Sequence, residues 1–515
     1  MGGDRCHCKR PSASCGHSAR VERGVQAIGK RVFFYDPRET KMTHLRKKIL
    51  IGIGTLLILV LVGAGWYLSM AVPIGTGYTA RYICSSVFIS HRDPQLTYRE
   101  DVAPINPLAK IIDVNIDHAQ KTVVASSFGL FKSTALYREG CGCTLVTGTT
   151  EAELRKQKFM IPEPTPVPQI VPDAPWPTGE GASPEPLAGE VNMDKLKGVL
   201  DAAFAEPHPE RKKMTRAVIV VYDGKLIGER YAPGFDNSTP LLGWSMSKSV
   251  TNALVGILVR QGKVRIREPA PVPEWQKAGD PRKSLTLDQL LRMSSGLKFD
   301  ETYEPLHDVT DMLYRSYDFA AYAAEKSLDA EPEGKWAYSS GTANIIARIV
   351  RHAAEKDYPR YYDFLRKGLF AKIGMHSAVA EPDPSGTFVG SSYMFATPRD
   401  WARFGLLYLQ DGLWGGERVL PEGWVKYSAA PTPKAPQGQY GALFWLNAGT
   451  EANPKDRLWP SAPSDAFAAR GYQEQYVVII PSKKLVIVRF GATSVRGAWD
   501  MNAFISQVTS SIQGK

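Results

Sequence analysis

No cysteine follows Cys143 in this chain of 515 residues, so a domain made of later residues has no disulfide to stabilise it. At more than three hundred residues, that later part is large enough to be held by its core alone. The sequence also lacks the zinc-protease pattern His-Glu-x-x-His and the nucleophile-elbow pattern Gly-x-Ser-x-Gly. These absences argue against a zinc protease and against an α/β-hydrolase, and we predict no metal and no cofactor.

Charge is missing from Ile49–Val72, an apolar run that is long enough to cross a bilayer. The basic group Arg46-Lys47-Lys48 precedes this run, and Trp66 and Tyr67 lie near its far end. By the positive-inside rule, the N-terminus is cytoplasmic and the rest of the chain lies outside. We expect a single pass through an inner (cytoplasmic) membrane, with the folded domain in the periplasm. A signal peptide cleaved at Ser69-Met70-Ala71 is the alternative, which the uninterrupted apolar length disfavours.

Excess positive charge is scarce after the basic N-terminal tail. The whole chain has a net charge of +11, but residues 1–48 hold 12 basic and 4 acidic side chains, which leaves only +3 for the remainder. We therefore expect no nucleic-acid partner and a lipid bilayer partner through residues 49–72. The cysteines and histidines of the tail lack the paired spacing of a zinc site and are not predicted to bind metal, namely Cys6, His7, Cys8, Cys15 and His17.

Ser245-Met246-Ser247-Lys248 is the motif that carries chemistry. It follows the β-branched run Ala217–Tyr222, which predicts a buried strand, and it precedes apolar residues at helical spacing, which predict a helix that begins near Ser245. Spacing of three residues puts Ser245 and Lys248 on one face of that helix. A serine hydroxyl becomes a nucleophile when a neighbouring base takes its proton, and an amine can serve once it has lost its own. The helix N-terminus adds backbone N–H groups for an oxyanion.

Two later segments extend the pattern. Tyr338-Ser339-Ser340 is a polar turn that leads into another apolar helix. Ala469-Arg470-Gly471-Tyr472 precedes a predicted strand pair, Tyr476–Ile480 and Leu485–Phe490, which the turn Pro481–Lys484 connects.

With these motifs, residues 191–512 resemble the serine β-lactamase and penicillin-binding protein family, in particular its class C-like branch of esterases, D-aminopeptidases and 6-aminohexanoate-dimer hydrolases. The resemblance implies an α/β (α+β) domain in which an antiparallel sheet is flanked by helices. It also implies a catalytic Ser245, Lys248 as its base and Tyr338 as a proton relay. The oxyanion would lie between the backbone N–H groups of Ser245 and Tyr472, and Gly471 would permit close backbone approach.

The chain departs from the family pattern at two positions. Ser340 stands where the family usually has asparagine in Tyr-x-Asn, and we expect it among the substrate-binding residues. No Lys-Thr-Gly occurs anywhere, so the usual handle for a substrate carboxylate is missing unless Arg470 replaces it. The resemblance therefore predicts a hydrolase of a small-molecule or peptide-like amide or ester. A D,D-peptidase or β-lactamase, and a penicillin-binding sensor without turnover, are the alternatives.

The remaining segments complete the predicted organisation: a basic tail (1–48), a transmembrane helix (49–72), a small membrane-proximal region (73–155), a Pro-rich linker (156–190) and the hydrolase domain (191–512). The membrane-proximal region has strand-like runs at Tyr82–Ile89 and Ile111–Ile116. In an oxidising compartment, Cys84 can pair with Cys141 or with Cys143, and the sequence does not choose between them.

Overall fold

The β-branched run that the sequence predicts as a strand is confirmed as a central strand of the largest sheet. The computed structural model describes residues 37–159, 171–183, 189–355, 361–450, 452–453 and 455–513. The predicted tail as far as residue 36, with its cysteines and histidines, and residues 160–170 and 184–188 of the predicted linker lie outside this description. Residues 66–515 form one compact unit.

The described residues contain strands in five sheets. In chain order the strands are β1 Ile112–Asp117, β2 Thr122–Ser127, β3 Phe131–Arg138, β4 Gly142–Leu145, β5 Val171–Pro175, β6 Gly179–Gly181, β7 Thr215–Tyr222, β8 Lys225–Tyr231, β9 Leu241–Leu242, β10 Val379–Ala380, β11 Met394–Ala396, β12 Leu413–Trp414, β13 Glu417–Arg418, β14 Trp445–Leu446, β15 Phe467–Gly471, β16 Gln475–Ile480 and β17 Leu485–Gly491.

The α-helices are α1 Pro37–Phe88, α2 Pro94–Thr97, α3 Glu151–Lys156, α4 Met193–Phe204, α5 Met246–Arg260, α6 Leu287–Leu291, α7 Asp308–Arg315, α8 Phe319–Ala324, α9 Ser340–Ala354, α10 Tyr361–Asp363, α11 Pro398–Leu409, α12 Trp424–Ser428 and α13 Met501–Ser511. Short 3₁₀ or π-helical turns connect several of them, at Tyr98–Val102, Ala109–Ile111, Pro273–Trp275, Pro281–Ser284, Phe364–Phe370, Ala371–Ile373, Pro436–Gly438 and Pro481–Lys483.

Six antiparallel strands form the main sheet in the order β14-β15-β16-β17-β7-β8. Alternate residues of β7 enter different cores: Ile219 and Val221 pack in the cluster that contains α5 and α11, whereas Val218 and Val220 pack with α4 and α13. Because side chains alternate along a strand, a fully apolar strand buries both of its faces. The result is a helix–sheet–helix arrangement, which confirms the predicted fold class.

The predicted bilayer-crossing run is part of a longer helix. In α1, large apolar side chains are exposed from Ile49 to Leu68, and burial begins at Ala71. The segment His44–Phe88 is long and apolar enough to cross a membrane, judged by length and composition. The strand expected at Tyr82–Ile89 is wrong, because the helix continues to Phe88. Packing of these turns in the compact unit overrides the strand preference of their aromatic and β-branched residues.

The last turns of α1 pack on a second sheet, in which β1, β2, β3 and β4 are antiparallel neighbours. The Thr76 and Ser133 hydroxyl oxygens are 2.8 Å apart, and a disulfide joins Cys84 to Cys143. The thiol of Cys141 is free and buried, and burial raises its pKa to about 12. The disulfide and the contact between Thr76 and Ser133 together hold the second sheet against α1.

A buried carboxylate ties this N-terminal structure to the rest of the unit. Glu381 accepts hydrogen bonds from Ser85 Oγ at 2.6 Å and from the backbone N–H of Cys143 at 2.8 Å. The Arg81 guanidinium is 3.5 Å from the same carboxylate and 3.7 Å from the ring centre of Tyr393. Burial raises the pKa of Glu381 in spite of these partners.

Glu381→Ala is expected to lower the free energy of unfolding by about 3–5 kcal/mol, because it leaves the buried Arg81 without its carboxylate. Urea unfolding of the detergent-solubilised chain, followed by tryptophan fluorescence, measures the change. Glu422→Ala, at an exposed position, is the control and is expected to stay within about 0.5 kcal/mol of the parent. Equal stability of the two variants would mean that Glu381 does not fasten the N-terminal structure.

Candidate active site

The first motif begins helix α5, as the sequence predicts, and the short strand β9 precedes it. Ser245 is the N-cap of α5, and Trp244 before it adopts the left-handed region with φ of 49°. Gly243 has no room for a side chain, since a Cβ there would lie 2.5 Å from the Trp401 ring. The tight turn therefore presents Ser245 at the start of a buried helix, whose first N–H groups, from Met246 to Lys248, donate to the carbonyl oxygens of Gly243, Trp244 and Ser245.

Lys248 brings three separate parts of the chain together. Its Nζ is 3.1 Å from Ser245 Oγ, 3.1 Å from Ser340 Oγ and 3.0 Å from the carbonyl oxygen of Ser391. The side chain is 1% exposed. No carboxylate lies within ion-pair distance of this amine in the part of the chain that the structure describes. The amine can therefore exchange a proton with a hydroxyl without breaking an ion pair.

Tyr338 presents its ring to the same amine, since the Lys248 Nζ is 4.7 Å from the ring centre. The rings of Tyr440 and Trp445 hold it, with centres at 5.9 Å and 5.5 Å. Among the described residues, the Tyr338 hydroxyl makes no hydrogen bond with Ser245 or Lys248. A proton relay through this hydroxyl thus needs a water molecule, the substrate or a movement of the side chain to complete it.

Ser340 connects Lys248 to Glu301, an acidic residue that the sequence analysis did not select. The Ser340 hydroxyl and its backbone N–H both donate to the Glu301 carboxylate, at 2.5 Å and 2.7 Å. The backbone bond lies at the N-terminus of α9, where a negative charge is favourable. The Ser340 hydroxyl thus links the Glu301 carboxylate to the Lys248 amine. The sequence around Ser340 has no local sign of this contact, because Glu301 comes from a distant loop.

Gly471 lies directly against the turn that carries Ser245. A Cβ at this position would be 2.2 Å from the Gly243 carbonyl oxygen, so the close approach needs glycine. Tyr472 follows and its ring is 5.8 Å from that of Trp244. The buried Arg489 donates to the carbonyl oxygens of Gln473 and Glu474, which fixes this turn. Burial lowers the pKa of Arg489 to about 9.

Arg470, the candidate replacement for the family's motif lysine, is held by its own strand and turn. Its guanidinium is 3.6 Å from the Glu474 carboxylate, and it lies 5.6 Å from the ring centre of Trp445 and 5.5 Å from that of Tyr476. A substrate carboxylate would have to compete with Glu474 for this charge.

Trp244 also receives support from the N-terminal helix. The ring of Tyr78 in α1 is stacked on Trp244 at 6.5 Å with an interplanar angle of 4°, and Tyr82 follows at 6.1 Å. The residue before Ser245 is therefore packed between the turn at Tyr472 and the last turns of α1. Sequence analysis missed this contact because it joins positions that are far apart in the chain.

Two acidic residues of helix α7 are held in ion pairs. Asp308 forms an ion pair with Lys326 at 2.6 Å, and Asp311 pairs with Arg315 at 2.9 Å. Tyr314 is buried next to Tyr78, whereas Tyr303 is exposed and its hydroxyl is 3.3 Å from Glu301. No group of three or more potential metal ligands occurs among the residues described.

Comparison with known proteins agrees with the fold. The beta-lactamase family model matches residues 200–501, so the chain belongs to this family of serine hydrolases. The chain is 26% identical over 270 residues to a 6-aminohexanoate-dimer hydrolase from Paenarthrobacter ureafaciens, which covers 46% of this chain. It spans 66% of the length of that relative.

Among solved structures, a proposed beta-lactamase from Bacteroides dorei matches with a TM-score of 0.50 and 17% identity, over 62% of this chain and 99% of the other. A proposed 6-aminohexanoate-dimer hydrolase from Bacillus anthracis matches with a TM-score of 0.48 and 22% identity, over 64% of this chain and 85% of the other. At this identity the first likeness shows the fold alone, namely the β-lactamase/transpeptidase-like fold that the sequence resemblance implies.

Glu301→Gln is expected to lower kcat about 10- to 100-fold, since the amide replaces a charged acceptor of two hydrogen bonds from Ser340. Steady-state hydrolysis of a short-chain p-nitrophenyl ester measures the change. Glu304→Gln in the same loop is the matched control, because its side chain is exposed. An unchanged kcat in Glu301→Gln would show that the carboxylate plays no part in positioning Lys248.

Tyr78→Ala is expected to slow acylation about tenfold at a temperature where the protein stays folded, because Trp244 loses its stacked ring and the nucleophile turn can shift. Tyr67→Ala removes an exposed tyrosine from the same helix and should leave the acylation rate unchanged. Stopped-flow labelling with a fluorophosphonate measures both rates. If the two variants react equally fast, α1 does not support the nucleophile.

Proposed function

We propose that this chain is a membrane-anchored serine hydrolase of the periplasm that cleaves an amide or ester through an acyl-enzyme on Ser245. Lys248 is the base and Tyr338 relays the proton to the leaving group. The observation that carries the proposal is the 3.1 Å contact between Lys248 Nζ and Ser245 Oγ, made by a buried amine with neutral oxygen neighbours.

In the first step, Lys248 takes the hydroxyl proton as Ser245 Oγ attacks the acyl carbon. The oxyanion accepts hydrogen bonds from the backbone N–H groups of Ser245 and Tyr472, and the close approach of Gly471 to the Gly243 carbonyl oxygen supports this assignment. The C–N or C–O bond then breaks, and the proton passes from Lys248 through Tyr338 to the leaving group. The products of this step are the acyl-enzyme and a free amine or alcohol.

In the second step, water attacks the acyl carbon and gives its proton to the same base, which releases the acid and restores the Ser245 hydroxyl. Ser340 keeps the amine in place throughout, because its hydroxyl bonds both Lys248 and Glu301. We assign Ser340 to the positioning of Lys248 and to the substrate-binding wall.

The substrate class is a small amide or ester. Support comes from the related 6-aminohexanoate-dimer hydrolase, whose name describes an amide substrate. A D,D-peptidase or β-lactamase is disfavoured because the chain has no Lys-Thr-Gly and Arg470 is paired with Glu474. Neither the proposed hydrolysis nor these disfavoured activities need a cofactor.

The proposed location rests on the N-terminal part of the chain. The exposed apolar side chains of α1, the basic residues before them and the aromatic pair Trp66 and Tyr67 support an inner-membrane anchor with a cytoplasmic N-terminus. The disulfide between Cys84 and Cys143 supports an oxidising compartment for the residues that follow. The predicted division into tail, span, membrane-proximal region, linker and hydrolase domain remains part of this proposal.

The test is to treat the detergent-solubilised chain with a fluorophosphonate probe and a short-chain p-nitrophenyl ester. Ser245→Ala is expected to abolish labelling, and Lys248→Ala to lower ester turnover by at least about 1,000-fold. Tyr338→Phe is expected to lower it about 100- to 10,000-fold, as for the loss of a general acid. Ser238→Ala, on an exposed turn, is the control for loss of a serine hydroxyl.

Labelling of the parent without turnover would favour a penicillin-binding sensor, in which the acyl-enzyme persists. Labelling that survives in Ser245→Ala would contradict the assignment of the nucleophile. Peptide mapping of the labelled parent by mass spectrometry identifies the modified serine in either case.

A further inference from the structure

The end of the second sheet that is formed by the β2–β3 turn is unusually apolar. Phe128 and Leu130 are 73% and 79% exposed, which makes them the most exposed large apolar side chains among the described residues. Ile111, just before β1, lies at the same end, because Ile112 pairs with Ser127. Single exposed apolar residues are ordinary in soluble proteins, but several at one turn indicate a contact surface.

Lysines flank this apolar end, and the opposite end of the sheet has a different character. Lys110 and Lys132 are exposed beside Ile111 and Leu130. The β1–β2 turn at the other end, residues 117–121, is polar and contains Asp117, His118, Gln120 and Lys121. Apolar side chains with neighbouring cations fit the boundary between lipid tails and headgroups, whereas the polar turn fits water. We call Ile111, Phe128 and Leu130 the sheet tip.

Contacts with α1 fix the direction in which the sheet tip points. Ser133 in β3 meets Thr76, with hydroxyl oxygens 2.8 Å apart, and lies 3.5 Å from the carbonyl oxygen of Pro73. Four residues later in β3, the Tyr137 ring is 5.6 Å from that of Phe88. Strand β3 and helix α1 therefore run in the same sense, and residues before Ser133 lie toward the N-terminal side of Pro73.

The standard rise per residue of strands and helices shows which turns of α1 lie beside the sheet tip. Leu130 is three residues before Ser133, which is about 10 Å along a strand. The same distance along a helix is about seven residues, which leads back from Pro73–Thr76 to the turns that contain Trp66 and Leu68. The side chains of Trp66, Tyr67 and Leu68 are exposed in the compact unit, at 59%, 47% and 46%. The sheet tip is thus level with the exposed apolar and aromatic turns of the helix.

We propose that the sheet tip enters the outer interface of the bilayer beside α1, so that the protein has a second membrane contact formed by Phe128 and Leu130. This inference rests on the anchoring of α1 in the proposed function. Lys110 and Lys132 reach the headgroups, while the β1–β2 turn faces water. Two contacts on one lipid surface hold the unit at a defined tilt, which a single helix does not.

The experiment places an environment-sensitive probe on the turn. The full chain with Cys6, Cys8 and Cys15 changed to serine carries Phe128→Cys and a nitrobenzoxadiazole label; the native Cys141 is buried and Cys84 and Cys143 are bonded to each other. Leu68→Cys is the positive control on the helix, and Ala119→Cys on the β1–β2 turn is the matched water-facing control. Each protein is reconstituted in phosphatidylcholine vesicles that contain a nitroxide-labelled phosphatidylcholine.

We expect the emission of the labels at positions 128 and 68 to shift to the blue and to be mostly quenched by the nitroxide. The emission of the label at position 119 should show neither change. If position 128 behaves like position 119 while position 68 is quenched, the sheet tip is not in the bilayer although α1 is. If position 68 is also unquenched and the protein does not float with the vesicles, the anchoring itself fails and the inference falls with it.

Discussion

The buried amine of Lys248 is the contact on which the site depends. Its partners are the hydroxyl of Ser245 from the start of α5, the hydroxyl of Ser340 from the start of α9 and the carbonyl oxygen of Ser391 from a third segment. A buried lysine without hydrogen-bond partners is costly, so each partner must be held in place by the packing around it. Helices α5 and α9 and the main sheet provide the packing that holds these partners.

Glycine at positions 243 and 471 allows two backbone segments of the site to lie close together. The backbone at Gly471 comes so close to the Gly243 carbonyl that no side chain fits, and this contact brings the end of strand β15 to the turn at Ser245. The buried Arg489 then fixes the following turn through two carbonyl oxygens. The proposed oxyanion site, made of backbone N–H groups, would be only as rigid as these supports, since it has no side chain of its own to adjust.

The N-terminal structure also contacts residues around the candidate site. Through Tyr78 it supports Trp244, and through Glu381 it shares a buried carboxylate with the rest of the compact unit. The helix that carries the proposed anchor is thus packed against the residue next to Ser245. A second contact of the sheet tip with lipid would fix the same unit at the membrane surface from two places.

The sequence by itself determined the elements with strong local signals. The buried strand before the first motif and the start of α5 at Ser245 follow from a β-branched run and from apolar residues at helical spacing. Tertiary structure decided what local signals cannot encode: the helix, not a strand, at Tyr82–Phe88, and the link from Lys248 through Ser340 to Glu301. Such contacts join distant segments, and their geometry depends on packing that no short stretch of sequence specifies.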